Sequence, residues 1–318
     1  MRSAGQGVAA PIGIVIPLYN RAQEIKKTLG RVLAQTLLPA KLVVVDDGSR
    51  DGSADAAEQF LAAANPGFEW QVIRAPHRHA ATARNTGFEQ VAHLPHVAFL
   101  DSDDHWPPDF LARTFAMLEA HPAAVALSTD REIDGADRKH IRLDLGGMAA
   151  DPELWMNRHD AGIASCTVLC CPAVQNVGGW ADGLEAGEDF LLFTAIARQG
   201  DWLHAGGAPV LFNRRMSGSG GQQVNLSRSQ PRKHWVWAEQ AEQLMQAAGD
   251  DDRDRARSLR EAVAGRWVSP GNHLMRTRFF GLARYAYRRA LALNPASPGV
   301  KARAAACALL APLGKDDR

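Results

Sequence analysis

The first half of the chain alternates short apolar runs with amphipathic stretches. The apolar runs are rich in valine and isoleucine, which favours strands buried in a sheet. The stretches between them carry apolar residues at helical spacing. Repeated strand–helix–strand units predict an α/β fold whose mainly parallel central sheet has helices on both faces. The predicted strands are IGIVIP, KLVVVDD, WQVIRA, HVAFLD and AAVALSTD.

Polar residues follow several of the predicted strands. The carboxyl ends of parallel strands meet at one edge of a sheet, and ligands bind in the crevice beyond that edge. The sequence therefore predicts a binding site made by the residues that end the strands. They are Asn20, Asp46, Asp47, Asp101 and Asp103.

The pattern changes in the second half of the chain. A less regular segment, roughly 131–225, contains a cysteine-rich strand and the run GEDFLLF. From about Leu226 onward the sequence is rich in Ala, Leu and Arg at helical spacing, which predicts a helical appendage. We therefore expect an α/β domain over 1–225 and a helical C-terminal region over 226–318.

Composition narrows the function. The chain has 36 Lys and Arg against 35 Asp and Glu, so no excess of basic charge points to nucleic acid as a partner. Its four cysteines are too few for a disulfide scaffold and are spaced poorly for zinc, so we expect reduced thiols in a buried strand.

Location is predicted from what the sequence lacks and from its basic helices. We find no apolar run of a secretory signal and none of the roughly 20 residues that cross a bilayer. We therefore expect a cytoplasmic protein. The Arg-rich helices of 253–289 suit peripheral contact with the anionic inner face of the membrane, although a solvated helix face is the simpler interpretation.

Two acidic clusters follow predicted strands. In VVVDDGSRDGS, Asp46 and Asp47 can accept hydrogen bonds from a base or a ribose, or can serve turn formation alone. In LDSDDHWPP, Asp101 and Asp103 are expected to converge, because alternate residues of an extended chain face the same side. Converging carboxylates favour Mg²⁺ or Mn²⁺ between them. The competing interpretation is that Asp103 or Asp104 caps the following helix.

A third acidic pair begins a predicted helix. Glu188 and Asp189 precede the apolar face of FLLF. A carboxylate at this position can remove a proton from an acceptor hydroxyl. It can equally well be there for its favourable interaction with the helix dipole.

Taken in order, the motifs IPLYNR, VVVDDGSRDGS, ARNTG, LDSDDHWPPDF and GEDFLLF resemble family 2 of the inverting glycosyltransferases. The resemblance covers roughly residues 11–220. It implies the GT-A fold, a nucleotide-sugar donor that is UDP-linked by family habit, and Mn²⁺ or Mg²⁺. The acceptor would be a glycan, a lipid-linked molecule or a protein in the synthesis of cell-surface glycoconjugates.

The same resemblance implies roles for individual residues. Pro17, Tyr19 and Asn20 would line the nucleotide pocket, and Asp47 would hold the base, with Asp46 beside it. The positive charges near the nucleotide and its diphosphate would be Arg84, Arg214 and Arg215. Asp101 and Asp103 would hold the metal, with Asp101 toward the ribose. Asp189 would be the general base, and Glu188 would support it.

Two positions depart from the family pattern. His77, Arg78 and His79 stand where similar enzymes often have an Asn-x-Gly stretch, which alters the loop near the donor. Met216 stands where a histidine often reaches the metal, and a thioether is a poor ligand for a hard cation.

Three other classes of protein compete with this interpretation. A sugar nucleotidyltransferase is disfavoured because PLYNRAQE, after the first strand, has no glycine-rich phosphate loop. A dehydrogenase is disfavoured because no G-x-G-x-x-G follows a predicted strand. A non-catalytic nucleotide-sugar-binding partner remains an alternative, although the acidic residues Asp101, Asp103 and Asp189 argue against it.

Overall fold

The computed structural model describes residues 9–134, 139–159, 164–184, 187–213, 231–248 and 252–315. The chain forms two compact units. The sheet unit comprises Met1–Ala149, Ala161–Leu184 and Leu191–Arg215, and the helical unit comprises Ala150–Asp160, Glu185–Phe190 and Met216–Arg318. The predicted division at residue 225 falls outside the described residues and stays a prediction.

The first four strands of the sheet unit are parallel. The sheet order is β3-β2-β1-β4-β7-β5-β6, with β8 paired to β5. All three pairings among β1 to β4 are parallel, so their carboxyl ends meet at one edge. These strands are β1 (Ala10–Leu18), β2 (Pro39–Asp47), β3 (Glu69–Ala75) and β4 (His96–Phe99).

The rest of the sheet is mixed. β7 (Thr167–Cys170) is inserted antiparallel between β4 and β5. β5 (Ala126–Asp134) also pairs with β6 (Lys139–Ile141), antiparallel, and with β8 (Trp202–Asn213), parallel. The expected α/β fold, with a mainly parallel sheet between helices, is confirmed.

The cysteine segment differs from its prediction. β7 contains Cys170 only, because Cys166 ends a 3₁₀ turn and Cys171 begins a helix. Cys166 and Cys171 are buried. Burial raises the pKa of the Cys171 thiol to about 12. The expectation of free thiols holds for all four cysteines.

Helices pack on both faces of the sheet at very short range. The ideal Cβ position of Gly87 in α3 lies 2.4 Å from Cγ1 of Val15 in β1. Any side chain there would push the helix away from the sheet. The helices of this unit are α1 (Glu24–Leu33), α2 (Ser53–Ala64), α3 (Ala80–Glu89), α4 (Phe110–Ala120) and α6 (Cys171–Asn176). A further helix, α7 (Glu188–Ala197), begins in residues assigned to the helical unit.

The helical unit has its own apolar core. Trp267 and Tyr287 are buried at its centre. The helices that supply the core are α5 (Pro152–Arg158), α8 (Pro231–Ala247), α9 (Arg253–Arg276), α10 (Phe280–Leu293) and α11 (Pro298–Leu310). α9 continues through Pro270 to Arg276. In the described part of the chain, none of the helices has the length and apolarity to cross a membrane.

Candidate functional site

The loops after β1 and β2 are joined by hydrogen bonds. The backbone N–H of Asn20 donates to the hydroxyl of Ser49 over 2.8 Å, and Arg50 N–H donates to Asn20 Oδ1 over 2.9 Å. Arg21 N–H donates to the hydroxyl of Ser53 over 2.7 Å. Asn20 has a positive φ of 49°, a conformation that asparagine tolerates well. Asn20 therefore connects the two loops structurally.

Asp47, at the end of β2, is engaged on both carboxylate oxygens. The backbone N–H of Arg78 donates to Oδ1 over 2.7 Å, and Nδ1 of His77 lies 2.9 Å from Oδ2. Gly48 permits this approach, because its φ is +73° and its ideal Cβ position lies 2.7 Å from His77 N. The predicted base-holding carboxylate is thus in contact with the loop that departs from the family pattern.

Asp46 faces the other side of the sheet from Asp47, since side chains alternate along a strand. It is 4% exposed, and its Oδ2 accepts the N–H of Ser49 over 3.1 Å. Its Oδ1 is buried, and none of the described residues donates a hydrogen bond to it. Buried acceptors without partners are rare, so this oxygen is suited to a ligand donor.

The three aspartates of the loop after β4 differ in burial and in partners. Asp104 is 2% exposed and accepts the Ser165 hydroxyl over 2.6 Å. The same hydroxyl oxygen accepts the N–H of Asp101 over 3.1 Å. Asp101 and Asp103 stay partly exposed, at 33% and 22% of their side chains. Asp104 therefore shapes the loop. The interpretation of Asp104 as a helix cap is wrong, because α4 begins after Asp109 and has no side-chain cap.

An arginine accompanies each of the two exposed acids. Arg84 of α3 donates to Asp101 Oδ1 over 2.7 Å and lies over the ring of Trp180, 4.5 Å from its centroid. Arg21 donates to Asp103 Oδ2 over 2.6 Å. The edge of the sheet thus presents two carboxylates and two guanidinium groups, an arrangement able to hold an anionic ligand and a cation together.

The ionised form of Asp103 is disfavoured by its surroundings. Burial raises its pKa above the ordinary value of 3.8, and repulsion from Asp101 adds to that rise. The neighbouring Arg21 opposes both effects. A carboxylate with a raised pKa beside a second carboxylate gains from a further positive charge.

The donor set at this edge fits a hard divalent cation in chemistry. Arg84 contacts Asp101 through Oδ1, and Arg21 contacts Asp103 through Oδ2. Oxygen ligands are those that Mg²⁺ and Mn²⁺ prefer. Across the described ranges, no three His, Cys, Asp or Glu side chains assemble into a metal cage.

Glu188 and Asp189 begin α7 in the helical unit, as the sequence predicts for a helix start. Asp189 Oδ1 accepts the N–H of Phe190 over 2.8 Å. The preceding residue, Gly187, has a φ of +83°, and its ideal Cβ position lies 2.6 Å from Trp237 Cδ1. Only glycine fits there, so the start of α7 is held closely against α8.

Comparison with known families identifies the chain. The model of the family described as "Glycosyl transferase family 2" matches residues 13–171, half of the sequence. The chain belongs to glycosyl transferase family 2. The predicted family is therefore confirmed, and the match includes the edge of the sheet where β1, β2 and β4 end.

Relatives in this family come from diverse organisms. An uncharacterized glycosyltransferase of Nostoc sp. is 34% identical over 127 residues, which cover 40% of this chain and 38% of the relative. The succinoglycan biosynthesis protein ExoW of Rhizobium meliloti is 40% identical over 108 residues, which cover 33% of each protein. The matched region thus spans little more than a third of these curated relatives.

Solved structures of glycosyltransferases share the fold over nearly the whole chain. TarS from S. aureus, in complex with UDP-GlcNAc, has a TM-score of 0.66 and 15% identity, covering 93% of this chain and 88% of TarS. The mannosyltransferase PcManGT from Pyrobaculum calidifontis, in complex with GDP-Man and Mn²⁺, has a TM-score of 0.56 and 20% identity, covering 98% and 84%. These likenesses confirm the GT-A type of fold.

The structure gathers part of the family 2 residue set predicted from sequence. The loops at the carboxyl edge of the parallel strands carry Asn20, Asp47, Asp101 and Asp103. Pro17 is buried within β1, one position before its end. Arg214 and Arg215, the predicted loop arginines, lie outside the described residues, as does Met216.

Sequence reasoning missed two residues of the site, Arg21 and Ser165, which contact Asp103 and Asp101 respectively. His77, noted in the sequence for its departure from the family pattern, contacts Asp47. Arg21 follows the predicted first strand directly, so its position was a usable signal. Nothing local marks Ser165, which is brought in by β7. Trp106 and Trp180, which flank the DSDD and GED motifs in the sequence, are buried, at 1% and 2% exposure.

Proposed function

We propose that this family 2 protein is an inverting, metal-dependent glycosyltransferase that moves a sugar from a nucleotide-sugar donor to an acceptor hydroxyl. The observation that carries the proposal is the pair of arginine-contacted acids, Asp101 and Asp103, at the edge where β1, β2 and β4 end. That edge is where parallel α/β sheets bind nucleotides.

The nucleoside would bind at the ends of β1 and β2. Tyr19, which is 38% exposed, would stack on the base there, and Asp47 would accept a base N–H in place of its present contacts with the His77 loop. Asn20 and Pro17 would shape the same pocket. The buried, unpartnered Oδ1 of Asp46 supports a further contact to a donor group of the ligand. We propose that the base is uracil, and the UDP-GlcNAc bound to TarS supports that choice.

The diphosphate would bind beside the acids after β4. Asp101 and Asp103 would hold Mn²⁺ or Mg²⁺, and the Mn²⁺ in the mannosyltransferase complex supports this assignment. When bound, such a cation offsets the negative charge that grows on the departing diphosphate. Arg84, which is paired with Asp101, would contribute positive charge of its own, and Arg214 and Arg215, which follow β8 in the sequence, would add to it.

The acceptor would be activated by a carboxylate at the start of α7. Asp189 would remove the proton of the acceptor hydroxyl as that oxygen attacks the anomeric carbon. The sugar–phosphate bond breaks on the opposite side, the nucleoside diphosphate leaves, and the configuration inverts. Glu188 would support the charge or the position of the acceptor. The division into a catalytic domain over 1–225 and a helical region over 226–318 is part of this proposal.

The acceptor class is inferred from the family resemblance and from the name of one relative. We propose a glycan, lipid-linked or protein acceptor in the synthesis of cell-surface glycoconjugates. The printed name of ExoW, a succinoglycan biosynthesis protein, supports a polysaccharide pathway.

A thermal-shift screen tests the proposal. Purified protein is heated with UDP-GlcNAc, UDP-glucose or GDP-mannose, each with Mn²⁺, Mg²⁺ or EDTA. We expect a rise in Tm with a UDP-sugar and a divalent cation, and none with EDTA, because ligands that bind only the folded state stabilise it. A protein that no nucleotide sugar stabilises contradicts the proposal.

Donor hydrolysis then separates the alternatives. A transferase slowly releases UDP from the stabilising donor in the presence of the cation, whereas a non-catalytic binder shows the Tm rise alone. Pyrophosphate-dependent breakdown of the donor to UTP would point to a nucleotidyltransferase instead.

A further inference from the structure

The end of the helical unit carries an unusual charge. Residues 262–315 contain nine Lys and Arg and no Asp or Glu. The whole chain has a formal charge of +1, so the rest of it carries −8. Basic charge is therefore concentrated in α10, α11 and the end of α9, and a surface built by these helices will attract anions.

Some of the basic residues predicted to face a membrane are occupied internally. Arg255 is paired with Asp151 and Glu153, and Arg266 donates to the backbone oxygen of Met156 over 2.7 Å. Arg289 is paired with Glu242. Three arginines of the segment 253–289 are thus engaged within the helical unit, and further basic residues, Lys301, Arg303 and Lys315, lie beyond that segment.

Helix α11 has an apolar outer face. Val300 and Cys307 pack inward, at 6% and 0% exposure. With about 100° of turn per residue, the opposite side of the helix carries Ala302, Ala305 and Leu309. Leu309 is 81% exposed. A leucine this exposed at the centre of an alanine face gains nothing from folding and is available to another apolar medium.

Basic side chains flank this face on both sides. Lys301 and Arg303 are exposed and sit on either side of the Ala302–Leu309 line. Beyond the helix, Leu313 is 64% exposed, and Arg278 donates to its backbone oxygen over 3.0 Å. Exposed Lys315 lies over the ring of Phe279, 5.3 Å from its centroid.

We propose that the surface made by Lys301, Arg303, Leu309, Leu313 and Lys315 docks the protein onto an anionic lipid bilayer. The leucines enter the boundary between headgroups and acyl chains, and the flanking cations bind lipid phosphates. A bilayer matches both features at once, whereas a nucleic acid would leave the leucines in water. The proposal does not depend on glycosyl transfer, since none of these residues belongs to the nucleotide edge.

Vesicle flotation of the full chain tests it. Vesicles of phosphatidylcholine alone are compared with vesicles that contain phosphatidylglycerol as well. We expect binding to the anionic vesicles only. The double substitution Lys301→Glu, Arg303→Glu should weaken that binding at least about tenfold, since each basic side chain near an anionic surface contributes to attraction. Leu309→Ser with Leu313→Ser should lower binding at high salt as well, where charge attraction is screened.

A double substitution with the same charge change elsewhere on the surface provides the control. Lys26→Glu with Lys27→Glu makes the same charge change at two exposed positions of α1 and should leave vesicle binding within about twofold. Wild-type protein that ignores anionic vesicles, or an equal loss in both Glu pairs, overturns the proposal. The proposal is also overturned if the wild-type protein forms a dimer, the Leu309→Ser, Leu313→Ser protein does not, and vesicle binding is the same for both. The face would then bind a second copy of the chain. Donor-induced Tm shifts, measured without vesicles, show whether the proposed transferase function fails separately.

Discussion

The imidazole of His77 stacks on the ring of Tyr19, with ring centroids 4.3 Å apart and planes 15° from parallel. The same imidazole lies within hydrogen-bond distance of Asp47. His77 therefore covers the aromatic face and contacts the carboxylate that a nucleobase is proposed to use. In the donor-free protein it occupies the contacts expected of a base.

Removal of His77 should strengthen donor binding. His77→Ala frees Oδ2 of Asp47 and the face of Tyr19, so the incoming base no longer displaces a contact worth about 1 kcal/mol. We expect the Kd for the stabilising nucleotide sugar to fall about three- to tenfold, measured by isothermal titration calorimetry.

Arg78 offers the control for this experiment, because only its backbone N–H contacts Asp47 in the observed bond. Arg78→Ala keeps that N–H and should leave the Kd nearly unchanged. A weaker Kd in His77→Ala would mean that His77 stacks on the bound base rather than standing in its place.

Asp103→Asn should abolish metal-dependent donor binding, because the amide removes the negative charge proposed to hold the cation. It should also raise the Tm of the metal-free protein at neutral pH. The pKa of Asp103 is raised by burial, so this group favours folding below its unfolded pKa, and that contribution is lost as pH rises through the higher folded value. The neutral amide avoids that loss.

Thermal unfolding in EDTA at pH 7, followed by titration of Mn²⁺ with donor, measures both effects of this substitution. A variant that is less stable than wild type in EDTA, or that keeps its full Mn²⁺-dependent shift, contradicts the assignment of Asp103.

Asp189→Asn should separate binding from transfer. The amide is similar in shape but accepts no proton, so the donor Kd should change less than about twofold while transfer falls at least about 100-fold. Glu188→Gln, one position earlier, should lower transfer less. Transfer at the wild-type rate in Asp189→Asn would show that another group is the base.

Gly187→Ala should destabilise the protein through the start of α7. The substitution forces alanine to a φ of +83° and brings its Cβ within 2.6 Å of Trp237. We expect a loss of at least about 2 kcal/mol in the free energy of unfolding, measured by chemical denaturation. Gly183→Ala is the comparison, since φ there is +74° and none of the described residues has an atom within 4 Å of the added carbon, and about 1 kcal/mol is expected. Equal losses in the two variants would mean that the steric contact with α8 is unimportant.

The sequence was sufficient for those parts of the fold that local pattern encodes. The five strands predicted from apolar runs correspond to β1 to β5, and the helix starting at Glu188 was recognised from its acidic start. Likewise, the acids that end β2 and follow β4 were recognisable because parallel strands place such residues at one edge.

Features that depend on distant partners were not predictable in this way. The antiparallel insertion of β7 depends on pairing between segments far apart in the chain, and Cys171 was wrongly included in a strand for that reason. The contacts of Asp104 with Ser165 and of Asp47 with His77 likewise join residues 61 and 30 positions apart. Local propensity carries no information on such pairs.

Ser165 ties both ends of the acidic loop with a single hydroxyl, although it lies 64 positions after Asp101. A nascent chain that has emerged from the ribosome only as far as β5 thus possesses the acidic motif without the brace that shapes it. A fragment that ends before Ser165 would contain the family's acidic motif but would lack the hydroxyl that bonds to Asp101 and Asp104.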